Sequence, residues 1–277
     1  MQQHEELTLT KFIDPQDELD SEIVNDTINM IVALNMNDIL FMGDKKLSEN
    51  FFGKVMDLTQ SLLKANEHFR SYISKEKDLL EKHKEYGLNN PNKNTNLGVN
   101  PISLNNEIDG VLSQIKAALD TLARALNPMF SFKLNGWHKD KKGKSGVDIL
   151  KMIKNNLPEN LKINSNNLYD YIENNSGYIS YIVYLRDGPH HRGGLKNITQ
   201  IVFDYKLQNV IAQKIIHPDG TEELMVDFLL RTIKTVKNFI NGVLILSMHL
   251  KMGVGLVIVK NDNGNYPPYS WGIPNKT

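Results

Sequence analysis

The chain has no cysteine among its 277 residues. That absence excludes a disulfide framework, a thiolate nucleophile, an iron–sulfur cluster and any cysteine zinc site, and makes a cytoplasmic location the simplest expectation. Net charge is missing too: 32 Lys and Arg stand against 32 Asp and Glu. Proteins that coat DNA or lie on anionic membranes depend on a broad basic field, so any electrostatic role here belongs to a local patch. Long hydrophobic runs are also lacking. The nearest, Phe239 to Val259, is interrupted by Asn241, His249 and Lys251 and split at its end by two glycines, so no membrane span is expected. Met1 to Phe12 has no apolar segment, so no signal or transit peptide is expected. Zinc-ligand spacing, internal repeats and the glycine-rich loops of the nucleotide-binding classes are all missing. Neither a metal nor a cofactor is expected.

What is present is enough apolar residue, 40% of the chain, to bury a sizeable core in one large domain or one domain with an extension. Residues 1–86 read as an N-terminal helical extension. Its first 26 residues hold eight acids and one Lys, a local net of 1 − 8 = −7, and Asp14-Pro15-Gln16-Asp17 reads as a helix start. Ile23, Ile28, Ile31, Val32, Leu34, Ile39 and Leu40 keep helical spacing, and Gly43-Asp44 offers a stop. Leu47, Phe51, Val55, Leu58, Leu62, Phe69, Ile73, Leu79 and Leu80 then predict one long amphipathic helix to about Tyr86. The two together make a helical hairpin.

Residues 87–101 are an Asn-rich stretch with Pro91 and no apolar period, read as a linker and candidate hinge. Ser103 and Glu107 open the strongest helical pattern, with Leu104, Ile108, Val111, Leu112, Ile115, Leu119, Leu122 and Leu126 on one stripe, closed by Asn127-Pro128. A short helix follows over Val147 to Leu157 and a longer one from about Asn166 to Leu185, which Gly188-Pro189 must end. Ile198, Ile201, Phe203 and Tyr205, then Val210, Ile211, Ile215 and Ile216, predict two short strands near 198–217, with Pro218-Asp219-Gly220 as a turn. Leu224 to Leu250 is a last long helix, and residues 253–277 form a strand-like and aromatic tail. The fold class expected is mainly α, an up-down helical bundle over 102–252 with an N-terminal helical hairpin and a small β-hairpin and C-terminal strand appendage.

Two local features carry chemistry. Lys133 to Lys154 holds seven Lys and two Asp, a net of 7 − 2 = +5. Within it Lys139, Lys141, Lys142 and Lys144, beside His138, either guide a nucleic-acid backbone or are simply solvated. The second feature is Arg186-Asp187-Gly188-Pro189-His190-His191-Arg192, where a helix ends and a loop begins. Arg offers a planar fork of donors for phosphate, and His titrates near neutrality, so the cluster has the groups to hold a phosphodiester and move its protons. The bland alternative is a helix C-terminal Arg satisfying the last carbonyls while Asp187 pairs with Arg192.

Arg186 and Asp187, followed by His191 after four intervening positions at the end of a bundle helix, resemble the signature of the HEPN superfamily. The helix Ile115 to Asn127 is similar to the first core helix of many HEPN proteins, and the resemblance covers roughly Ile102 to Leu250. It implies an all-α bundle, usually a homodimer, with two motifs facing each other as one composite site. Many such proteins are metal-independent endoribonucleases of defence or toxin systems; others only bind RNA, a nucleotide or a partner. By that resemblance Arg186 would neutralise charge on the phosphoryl oxygens, His191 would act as general base or acid, and Asp187 would orient one of them. RNA, a second copy of the chain and an antitoxin or regulatory partner are the partners it implies. Gly188-Pro189 inside the motif stiffens the loop, and the adjacent His190 competes with His191 for the catalytic place.

Supporting positions remain open. Asp120 lies between Lys116 and Arg124 and reads either as an intrahelical ion-pairing residue or as a carboxylate holding Arg186. Arg192 adds a cation, and Tyr178, Tyr181 and Tyr184 are read as packing residues, with Tyr184 near enough to the helix end to touch a base. His68, His83, His217 and His249 are read as core or surface histidines. Asp17 to Asp26 is a candidate internal mimic of RNA that masks the basic loop.

Overall fold

The computed structural model describes residues 16–34, 40–90, 97–99, 101–187, 197–252, 257–260 and 269–272; residues 28–34, 97, 257–260 and 269–272 are described by backbone alone. Helix α1 spans Glu18–Leu34. Its start is a reciprocal cap: the Asp20 amide donates to Asp17 Oδ1 at 2.7 Å, and the Gln16 amide donates to Asp20 Oδ2 at 3.1 Å, which satisfies donors that the first turn leaves without partners. After a turn through Met42 and Gly43, both at positive φ, helix α2 runs over Lys45–Asn89. Asp44 caps it by accepting from the Leu47 amide. Its buried stripe, Phe51, Val55, Leu58, Leu62, Ala65, Phe69 and Tyr72, repeats every three or four residues, the period that puts side chains on one helical face.

Strand β1 (Leu97–Val99) precedes helix α3 (Ile102–Phe130). Two short helices, α4 (Val147–Asn156) and α5 (Glu159–Lys162), lead to α6 (Asn166–Asp187). Strands β2 (Ile201–Asp204), β3 (Asn209–Ile211), β4 (Lys214–Ile216) and β5 (Glu222–Leu224) come next, then α7 (Met225–Met252) and a final pair, β6 (Val257–Lys260) and β7 (Tyr269–Gly272). The described residues are thus mainly helical with small antiparallel strands, as the sequence predicts. No described helix is long and apolar enough to cross a membrane.

Two compact units divide the chain. One comprises 1–63, 117–177 and 237–277 and holds α1, α4, α5 and the β6–β7 pair, with β7 beside α1. Its core includes Ile23, Leu119, Leu122, Trp137, Ile149 and Phe239. Trp137 meets Phe239 edge-on, and Tyr171 stacks on the same Phe239 ring. The other unit comprises 64–116 and 178–236 and carries a three-stranded antiparallel sheet in the order β1-β2-β3 and the β4–β5 hairpin. Leu104, Ile108, Leu112, Phe203 and Phe228 fill its core.

Three boundaries differ from the sequence reading. The Asn-rich stretch 87–101 is not all linker: α2 continues to Asn89, and Leu97–Val99 pair with β2, Gly98 opposite Val202. Strand formation there depends on a partner edge more than 100 residues away, which local composition does not report. Asn127-Pro128 does not close α3, which continues to Phe130. A proline in the last turn removes only one backbone bond, and beyond the helix Asn127 anchors the chain by donating to the Leu134 carbonyl and accepting from its amide, each at 2.8 Å. The β region extends past 217 to Leu224, because Asp219 ties the turn by accepting from the Thr221 amide and hydroxyl with Gly220 at φ 84°, and Ile216 then faces Glu222 across the hairpin.

Candidate functional site

Helix α6 brings its last turn to the Arg186-Asp187 pair. Ile179, Ile182, Val183 and Leu185 are buried and fix the rotation of the helix, which leaves Tyr184 44% exposed and the Arg186 side chain 43% exposed. The Arg186 guanidinium donates through Nη1 to Asp187 Oδ1 at 2.7 Å, while its Nε is buried without a hydrogen-bond partner among the described residues. One edge of the guanidinium is therefore oriented by a carboxylate, and the part of the side chain that is exposed faces solvent. His190, His191 and Arg192 lie outside the described residues.

The tyrosines before Arg186 divide by role. Tyr178 shares a hydrogen bond with Thr232 at 3.0 Å, and Tyr181 with His217 Nδ1 at 3.1 Å; both are committed to packing, as expected. Burial pushes the Tyr181 hydroxyl up to about 12. His217, read from sequence as a histidine without a particular role, is the middle of a chain. Its Nε2 meets Glu223 Oε2 at 2.9 Å, and the Arg231 Nε donates to Glu223 Oε1 at 2.9 Å. Arg231 also lies over the Tyr178 ring. The Arg231 guanidinium holds the Glu223 carboxyl below its ordinary value, with His217 adding to the effect. This network ties the β4–β5 hairpin to α6 and α7. No spacing in the sequence announces it, because Tyr181, His217, Glu223 and Arg231 come from three elements.

Asp120 has a definite task. Its Oδ1 accepts from the Trp137 backbone amide at 2.7 Å, joining α3 to the loop that follows it. Arg124, the expected ionic neighbour, donates through Nε to the Asp120 carbonyl and through Nη2 to the Thr121 hydroxyl. Asp120 and Arg186 belong to different units.

The basic loop is a closed turn. Asp140 Oδ1 accepts from the amides of Lys142 and Lys144 at 2.9 and 3.0 Å, and the Asp140 amide donates to the Lys144 carbonyl at 2.8 Å. Gly143 supplies the positive φ that such a turn requires. Below it the buried Trp137 donates through Nε1 to Ser145, and the Gly146 amide donates to the His138 carbonyl. Lys144 pairs with Glu173, whereas His138, Lys139, Lys141 and Lys142 are exposed.

The acids of α1 serve their own helix and α7. Glu22 accepts from Lys237 Nζ at 2.8 Å, and Asp26 accepts from Asn241 Nδ2 at 2.6 Å with Lys237 3.5 Å away. Burial pushes the Asp26 carboxyl above its ordinary value despite Lys237. Asp26, Thr27, Thr59, Lys237 and Asn241 line a cleft of about 10 Å³, room for roughly one water. These contacts give Asp17, Asp20, Glu22 and Asp26 a structural use. His68 pairs with Glu107, which Lys75 also holds. Among the described residues no cluster of His, Asp and Glu has the makings of a metal site.

The chain matches no family model, no curated protein and no solved structure.

Proposed function

We propose that this chain is an endoribonuclease of HEPN type, acting without a metal through Arg186 and His191, with the site completed by a second copy of the chain. The observation that carries the reading is the disposition of Arg186: half-exposed in the last turn of α6, oriented by Asp187 at 2.7 Å, and followed within five positions by His190 and His191. Phosphoryl transfer from RNA requires little more than charge stabilisation, proton transfer and alignment.

In this reading the ribose 2′-hydroxyl attacks the adjacent phosphorus. Its proton passes to an imidazole, the bond from phosphorus to the 5′-oxygen breaks, and that oxygen takes a proton from a second, protonated imidazole, the one contributed by the other copy of the chain. The products are a 2′,3′-cyclic phosphate and a free 5′-hydroxyl, and no water is consumed. Arg186 offsets charge that grows on the non-bridging oxygens, Asp187 fixes its plane, and His191 moves the proton. A defence or toxin-like role, with an antitoxin or regulatory partner, belongs to the same reading.

The test is cleavage of mixed RNA in EDTA by the wild type, Arg186→Ala and His191→Ala, and by an equimolar refolded mixture of the two variants. The reading requires activity in the wild type, loss of at least 100-fold in each variant, and partial recovery in the mixture, where a heterodimer unites the Arg of one copy with the His of the other. Unchanged cleavage in both variants would overturn it. RNA binding without cleavage in the wild type would instead favour a silent binding module built on the same motif.

A further inference from the structure

We infer that His68 is a phosphoryl-accepting histidine, its Nε2 taking a phosphoryl group from a phosphoramidate or an acyl phosphate. The inference goes beyond the ribonuclease reading and does not depend on it.

Lys64, His68, Ser71 and Lys75 follow one another on α2 at intervals of four, three and four residues, the spacing of a single helical face. Glu107 and Gly110, one turn apart on α3, complete the site, and all six residues belong to the same unit. Glu107 is the anchor. Its Oε2 meets His68 Nδ1 at 2.7 Å, its Oε1 accepts from Lys75 Nζ, and its side chain is only 12% exposed. Burial pushes the Glu107 carboxyl up, but the bonds from Lys75, His68 and Ser71 outweigh it and hold the carboxyl below its ordinary value. An ionised carboxylate only accepts, so Nδ1 carries a proton and the neutral ring has its lone pair on Nε2.

Gly110 makes the seat for that ring. A Cβ there would meet Nδ1, Cγ and Cε1 of His68 at 2.5, 2.6 and 2.7 Å. Glycine inside a helix is destabilising relative to alanine, and room for the imidazole is what this one provides. With those three atoms against α3, Nε2 and Cδ2 form the outer edge of a side chain that is 40% exposed. His217 shows the contrasting, wholly structural arrangement, with Tyr181 on one ring nitrogen and Glu223 on the other. The described residues offer no cluster that would make the His68 lone pair a metal ligand.

The arrangement suits a nucleophile. Nε2 attacks phosphorus, the bond from phosphorus to the leaving group breaks, and ammonia leaves a phosphoramidate or acetate leaves an acyl phosphate. The imidazole becomes a phosphoimidazolium that keeps its Nδ1 proton, and its new positive charge faces Glu107, a stabilisation that grows only as the bond forms. Exposed Lys64 and half-exposed Lys75 supply positive charge on the same face for the incoming phosphoryl oxygens.

The experiment incubates the whole chain in EDTA with potassium phosphoramidate or with acetyl phosphate. Labelled sites are mapped by mass spectrometry at alkaline pH, and phosphorus resonance distinguishes the two ring nitrogens. Wild type should label His68 about tenfold faster than the exposed His138, on Nε2. His68→Gln should lose that label, and Glu107→Gln, with its fold checked by circular dichroism, should lose the preference. Label from one donor alone supports the inference and assigns the donor class. Label from neither donor, a His68 rate no greater than that of His138, a product on Nδ1, or a folded Glu107→Gln that labels like wild type would each overturn it. If Glu107→Gln does not fold, wild type in urea replaces it: the preference must vanish there, and one that persists overturns the inference equally.

Discussion

The Asp120 carboxylate accepts the backbone amide of Trp137 at 2.7 Å, fastening the loop after α3 to the helix itself. Trp137 is wholly buried and Asp120 half-buried, so an amide that loses this acceptor is only partly re-solvated. Asp120→Ala should therefore cost about 1–3 kcal/mol, the penalty of an unsatisfied buried donor. In a Trp271→Phe background, Trp137 is the single indole. Its emission should shift to the red in Asp120→Ala, and denaturant unfolding should report the loss; unchanged emission and stability would show that the bond is dispensable.

Lys237 lies between two carboxylates of α1, 2.8 Å from Glu22 and 3.5 Å from Asp26. Asp26 is raised by burial and restrained by the Lys237 charge. Lys237→Ala should raise the Asp26 pKa further and destabilise the protein by about 2 kcal/mol at neutral pH, because two acids then face each other without a cation. A raised carboxyl pKa makes the associated stability greatest below the ordinary value of 3.8 and weaker as pH rises through the folded value. Part of the deficit in the variant should thus disappear on acidification. Carboxyl carbon titration and melts across pH 3 to 7 read both effects, and a deficit independent of pH would contradict them.

Glu223 has the opposite sign. Arg231 and His217 hold its folded pKa below the ordinary 4.5, so its contribution is present above that value and is lost as pH falls through the folded one. Glu223→Gln should cost about 1 kcal/mol at pH 7, a modest figure because Arg231 is partly exposed, and should flatten the acid limb of the stability profile. Amide exchange in β4 and β5 should quicken first, since Glu223 ties that hairpin to α7.

Much of the fold was legible because it is periodic. The stripe from Leu104 to Leu126 needs only the 3.6-residue repeat to declare a helix, and every one of its members that the reading named is buried. Arg186 and Asp187 were legible as neighbours in one motif, but the partner of Asp187 was left open between Arg186, Arg192 and a histidine, and the bond to Arg186 came from the structure. Strand β1 was not, since Leu97 and Val99 become a strand only against Ile201–Phe203. Tyr181 and His217 are 36 residues apart, and Glu22 and Lys237 are 215 apart. Such partnerships are fixed by tertiary packing, and a single sequence holds no local trace of them.

Gly87 tests how α2 packs against that sheet. A Cβ there would meet the Phe203 ring at 2.4 Å, so Gly87→Ala should destabilise by about 1–3 kcal/mol through overpacking, in spite of alanine's better helix propensity. Phe203→Leu should recover part of the loss in the double variant. A strictly additive cycle by chemical denaturation would mean that the two residues do not touch.

The most direct measurement is the chemistry of the RNA ends. Purified wild type and the Arg186→Ala, His191→Ala double variant are incubated with mixed RNA in EDTA, and the termini of any fragments are identified. The account predicts 2′,3′-cyclic phosphate and 5′-hydroxyl ends from the wild type and intact RNA from the double variant. Fragments with 3′-hydroxyl and 5′-phosphate ends, or equal cleavage by both proteins, would contradict it.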